Sequence, residues 1–309
     1  MFNRYTIAKI VIAAGLLVWL VWSGRLDFHL FLTARFTPLH LLGVLVILVS
    51  LLVQAVRWWW LLRAQAIDLS LFQAAALLWI GFFFSLVLPG LSGGLMARGY
   101  YVTREAPSAK VAGISTVLVD RAIGLYALLW LSMLSLLYLY WSQKPLSATI
   151  VEIGALSLLL MAAATLFFAA LWAHPTRNLA LRLVPHRFRS PVETTLKTYH
   201  ARGARLLGCF GLSLVAGIMA MGAFVVAGYV IGTPINWKQA YLVCPLVYVI
   251  GSLPISPGGI GVGETAASVL FARFGVETGA TIMLTVRLWF LVLQLPGGLF
   301  YVLRTRTRT

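Results

Sequence analysis

Charge is what this 309-residue sequence has least of: only 10% of its residues are charged, and 8 Asp and Glu stand against 24 Lys and Arg. A water-soluble body of this size draws much of its surface from charged residues, so this composition excludes an ordinary soluble domain. Cysteine is scarce too. Cys209 and Cys244 lie in apolar runs with no Cys or His at ligand spacing, which excludes a disulfide framework and a zinc site and leaves two small buried hydrophobes. The five histidines (His29, His40, His174, His186 and His200) sit in loops or at helix ends, with no carboxylate at metal-ligand spacing. No Gly-rich loop ends in Gly-Lys-Ser or Gly-Lys-Thr, so ATP-driven pumping by this chain is not expected. No catalytic set is visible, and the chain is expected to be neither an enzyme nor the holder of a metal or cofactor. The short alternating segments of a β-barrel are also missing.

What is there is hydrocarbon. Hydrophobic residues make up 61% of the chain and its mean hydropathy is +0.93. An α-helix needs about 20 apolar residues to cross roughly 30 Å of hydrocarbon. Such runs occur at Ile7–Trp22, Leu39–Leu62, Val111–Trp141, Ala148–Ala173, Leu206–Ile231 and Thr278–Leu303. The reading is an all-α polytopic membrane protein forming a single membrane domain. The first run follows Arg4 and Lys9 as in a signal peptide, but Ser23-Gly24-Arg25 offers no small-x-small cleavage site, so an uncleaved helix is expected. The net charge of +16 does not imply nucleic acid, because the basic residues sit between apolar runs, as cytoplasmic loops of a cell-membrane protein require.

Two further apolar stretches, Leu71–Val102 and Ala240–Phe274, are interrupted by the same Leu-Pro-x-x-x-Gly-Gly pattern, at Leu88–Gly94 and Leu253–Gly259. Charge decides their topology. The linker His174–Arg205 carries seven Lys and Arg against one acid, Glu193, and marks the cytoplasmic side. It falls inside together with both termini only if each broken stretch enters and leaves by the same face. The expectation is therefore six spanning helices and two re-entrant hairpins inserted from opposite faces.

The two stretches also match beyond their breaks. Arg98 and Glu264 stand nine and ten residues past the respective prolines, and Arg121 and Arg287 stand 32 and 33 residues past them. This order implies an inverted repeat with halves at about 39–141 and 206–303, a plan that puts transporter sites near the midplane. A third cluster, Leu295-Pro296-Gly297-Gly298, warns that such patterns also arise by coincidence. Pro89, Gly90, Gly93 and Gly94 in one break, and Pro254, Pro257, Gly258, Gly259 and Gly261 in the other, free backbone groups at depth. Those groups suit either an anionic headgroup or close helix packing. Asp120, Arg121, Glu264, Arg287 and Arg98 are charges costly to bury without use or pairing. Glu264 is expected to pair with Arg121 or Arg287 across the repeat axis, leaving another arginine for an anionic lipid headgroup. A closed ion-pair lock between helices is the alternative. Arg57 and Trp58–Trp60 read as a snorkelling interface anchor, with Arg57 a further headgroup candidate.

The stretch Pro257-Gly258-Gly259-Ile260-Gly261-Val262-Gly263-Glu264 resembles the signature of the lysylphosphatidylglycerol synthase transmembrane-region family. Val119-Asp120-Arg121-Ala122-Ile123-Gly124 is similar to its acidic-Arg helix motif, with Asp where the family has Glu, and Gly93-Gly94 with Arg98 and Tyr100 to its first Gly-rich loop. In two-part members the membrane region is held to flip a lipid aminoacylated by a soluble C-terminal domain. This chain ends at Thr309 without one, so the resemblance implies lipid translocation or binding and not aminoacylation. The expected partner is a membrane lipid, either an anionic phospholipid or a polyprenyl lipid, handled by a flippase or by an accessory protein that presents lipid to a separate transferase. Association with a second copy stays open.

Overall fold

The computed structural model describes residues 18–19, 21–22, 37–87, 92–142, 147–172, 186–253, 255–256 and 259–306. Eleven α-helices of eleven residues or more carry the described chain, with no strand among the described residues. They are α1 (Pro38–Ala64), α2 (Leu71–Val87), α3 (Ser92–Glu105), α4 (Lys110–Ser142), α5 (Ala148–Trp172), α6 (His186–Ala201), α7 (Gly203–Val230), α8 (Trp237–Gly251), α9 (Val262–Ala272), α10 (Gly279–Gln294) and α11 (Pro296–Arg306). A 3₁₀ turn, Pro107–Ala109, leads into α4.

Among the described residues, five helical stretches are long and apolar enough to cross a membrane: Pro38–Ala64, Pro107–Ser142, Ala148–Leu166, Gly203–Val230 and Gly279–Arg304. They coincide with five of the six runs expected from sequence. The sixth, Ile7–Trp22, falls largely outside the described residues, as do Pro89, Gly90, Pro254, Pro257 and Gly258. Large apolar side chains line the outside, among them Leu41, Leu159 and Leu207 at 66%, 66% and 71% exposure. That is the surface a helical bundle presents to lipid, where apolar exposure carries no penalty.

The centre is the packing of α1 on α7, the most extensive helix pair. Trp58, Leu61, Leu62, Met221, Ala223 and Phe224 are fully enclosed there. Ser50 Oγ donates to the Ala216 carbonyl at 2.9 Å, a polar contact of the kind that joins helices in hydrocarbon. On the flank, Ser132 of α4 donates to the Leu242 carbonyl of α8 at 3.0 Å and Ser135 to that of Lys238 at 2.7 Å.

The interrupted stretches become two pairs of short helices. At 1.5 Å per residue, the 17 and 14 residues of α2 and α3 are about 26 and 21 Å long, and the 15 and 11 of α8 and α9 about 23 and 17 Å. Within each pair the arms pack antiparallel. Gly81 and Ser85 of α2 face Gly94, and Gly81 also faces Arg98. In the second pair Gly251 meets Gly263 while Leu242 and Leu246 share a cluster with Leu270 and Phe274. Helix packing glycines explain the third Leu-Pro-Gly-Gly cluster: Gly297 and Gly298 abut Trp79 and Phe83 of α2. The Trp79 indole donates to the Leu293 carbonyl at 3.0 Å, beside the α10–α11 break at Pro296.

Candidate functional site

Two ion clusters stand where the broken stretches meet the long helices that follow them. In the first, Arg57 of α1 donates through Nε to Asp120 Oδ1 at 2.7 Å. Arg98 of α3 donates through Nη2 to Oδ2 of the same carboxylate at 3.0 Å. Arg57 also donates through Nη1 to Ser213 Oγ on α7 at 2.9 Å. The Arg98 guanidinium lies 4.2 Å over the ring of Trp58, whose indole donates to Thr116 Oγ1 at 3.1 Å. A glycine permits this approach, since a Cβ on Gly81 would stand 2.5 Å from Arg98 Cγ.

These contacts correct the reading of Arg57 and its tryptophans as a snorkelling belt. Arg57 is 5% exposed and Trp58 fully enclosed, while Trp59 is half-buried and Trp60 exposed. The reason is the counter-charge. Asp120, 63 residues away in sequence, holds the guanidinium inside, and a buried ion is kept where a partner satisfies it.

The second cluster joins α9 to α10. Arg287 Nε donates to Glu264 Oε1 at 2.5 Å and its Nη2 to the Gly259 carbonyl at 3.1 Å. Glu264, fully enclosed, accepts from the Gly261 backbone N–H through Oε2 at 2.8 Å and so caps the start of α9. The anion drawn to this helix N-terminus is thus one of the protein's own carboxylates. Gly259 and Gly261 take φ of +71° and +80°, the left-handed region that costs other residues about 1–2 kcal/mol. The pairing also refines the sequence reading: of the two arginines expected as partners, Glu264 meets Arg287, on the next helix along the chain.

Both clusters tie the arm after a break to the next long helix, and their polarity is reversed. Arg98 on α3 meets Asp120 on α4; Glu264 on α9 meets Arg287 on α10. Arg121, one residue from Asp120, makes no hydrogen bond or ion pair among the described residues. It lines a cavity of about 330 Å³ together with Arg57, Arg98, Asp120 and Arg287. Most of the remaining wall is apolar, including Leu51, Leu125, Met221 and Phe290. The volume is at the low end for small-molecule sites, about 300–1,000 Å³. Of the break residues, Gly94 reaches the wall, while Gly93 is buried nearby.

Sequence reasoning missed Ser213 and Gly81. Ser213 carried a faint signal as a hydroxyl inside an apolar helix; Gly81 carried none. No group of three or more His, Cys, Asp or Glu side chains suited to a metal occurs among the described residues.

The family described as the lysylphosphatidylglycerol synthase TM region matches residues 6–298. The chain belongs to this family. A UPF0104 membrane protein of Pyrococcus horikoshii is 23% identical over 323 residues, covering 96% of each chain. Another, from Methanothermobacter thermautotrophicus, is 21% identical over 307 residues, covering 89% of this chain and 87% of the relative. No solved structure matches it. The family resemblance noted around Pro257–Glu264 falls on the second cluster. Its described glycines make the left-handed turn and leave space for Arg287, whose Nη2 lies 3.1 Å from where a Cβ of Gly263 would be.

Proposed function

We propose that the protein is a lipid flippase that passes the headgroup of an anionic phospholipid or polyprenyl-linked lipid through this cavity. The observation that carries the proposal is Arg121, a cation with no hydrogen bond or ion pair among the described residues, in a cavity whose walls are mainly apolar. A charge at membrane depth is seldom kept without use, and headgroup and chains of a lipid match the two kinds of wall.

The proposed topology has six spanning helices, two re-entrant hairpins from opposite faces and an inverted repeat, in the cell membrane with both termini cytoplasmic. Several contacts support it. The short arms are less than the roughly 30 Å that a crossing needs. On the side assigned to the cytoplasm, Arg202 and Arg205 of the basic linker donate to the Arg63 and Ala64 carbonyls ending α1, and Arg304 pairs with Glu105 at 2.6 Å. On the opposite side Arg273 pairs with Glu152, and Thr233 and Thr278 hydroxyls bond at 2.8 Å. Each of these contacts joins ends that the charge count puts on one face. The repeat is further supported by the matched ion pairs and by α1 and α7, the first helices of the halves, packing on each other.

The test is movement of fluorescent phosphatidylglycerol across proteoliposomes, read by chemical quenching of the outer leaflet. Wild-type protein should speed it, and Arg121→Ala and Glu264→Gln should each slow it by about tenfold or more. No movement, or equal rates in all three proteins, refutes transport. Loss of a copurifying transferase's product on deletion, without transport, would favour an accessory role.

A further inference from the structure

We infer that the cavity selects a phosphate monoester dianion borne on a lipid over a phosphodiester monoanion, a discrimination that rests on the lipid-handling reading above. The first observation is the charge count. Arg57, Arg98, Arg121 and Arg287 reach the cavity, and Asp120 and Glu264 are the carboxylates bonded to them, which leaves two positive charges in excess. Glu264 sits behind Arg287 and neutralises it; Asp120 is shared by Arg57 and Arg98.

The second observation is unspent hydrogen-bonding capacity. Arg121 has no partner among the described residues, and Arg98 keeps a buried Nε–H without an acceptor although its Nη2 is engaged. Guanidinium groups bind phosphate oxygens through paired N–H donors. A monoester offers three terminal oxygens and nearly two charges above its second ionisation, near pH 6. A diester offers two such oxygens and one charge. In apolar surroundings the charge left over is poorly screened, so the dianion closes the balance and the monoanion does not. The apolar walls assign the phosphate to a lipid and not to free solution.

The experiment measures the melting temperature of the purified protein in detergent, titrated with dioleoyl phosphatidic acid, dioleoyl phosphatidylglycerol or inorganic phosphate, at pH 8 and pH 5. At pH 8 phosphatidic acid should bind about tenfold or more tightly than phosphatidylglycerol, and at pH 5, where the monoester holds one charge, the preference should largely vanish. Arg121→Gln should lose the preference while still binding phosphatidylglycerol, and Arg121→Lys should keep part of it. The melting of each variant without lipid reports its folding. Equal affinities at pH 8, or a preference unchanged at pH 5, overturn the inference and leave the flippase reading standing. Protection by inorganic phosphate equal to that by phosphatidic acid overturns its lipid part. Protection by neither lipid overturns both readings.

Discussion

Asp120→Asn is the sharpest test of the first cluster, because it removes one charge and leaves two cations facing each other. Arg57 and Arg98 side chains are 6% and 8% exposed, and the Asp120 side chain 3%, so none of the three can turn to water. Removing one partner from a buried ion pair costs about 3–5 kcal/mol, since the orphaned charge keeps its desolvation penalty. The asparagine oxygen still accepts one bond, which places the expectation near the lower bound, about 3 kcal/mol. At roughly 2 °C per kcal/mol for a large chain, the melting temperature in detergent should fall by about 6 °C. Adding Arg98→Met to Asp120→Asn removes one orphan and should restore part of the loss, a non-additivity that a double-mutant cycle reads directly. If Asp120→Asn melts within about 1 °C of wild type, the cluster is hydrated and the argument from uncompensated charge fails.

Two further outcomes test the backbone. Gly259→Ala combines a φ of +71° with a Cβ only 2.3 Å from the Gly251 carbonyl oxygen, whereas Gly275→Ala, at +77°, meets nothing within 4 Å. The first should abolish the monodisperse peak in gel filtration and the second should cost only about 1–2 kcal/mol; equal behaviour would contradict the close approach. Trp79→Phe removes the indole N–H from the Leu293 carbonyl and should cost about 1–3 kcal/mol, or roughly 2–6 °C of melting temperature. No change would mean that another donor reaches that carbonyl.

The long helices were legible because about 20 apolar residues in a row have few other fates. The breaks were legible too: the stretch around Pro89 divides into α2 and α3, and the stretch around Pro254 into α8 and α9. Pairing was only half readable. Glu264 and Arg287 lie 23 residues apart on adjacent helices of one motif, so opposite charge and order pointed to each other. Arg57 was misjudged because Arg-Trp-Trp-Trp reads as a membrane interface, and nothing local says that an aspartate 63 residues on will draw it inward. Glycines facing arginines were invisible for the same reason: a missing Cβ acquires meaning only from what a different helix brings to it.

The reversed polarity of the two clusters has a consequence for assembly. Two similar pairs of short helices in one chain invite exchange, each docking on the long helix meant for the other. Here the wrong partners repel: α3 on α10 sets Arg98 against Arg287, and α9 on α4 sets Glu264 against Asp120. Like charges brought together at low dielectric raise the cost of the exchanged docking. The swapped signs act as a lock and a differently cut key, so that each helix pair recognises its own long helix.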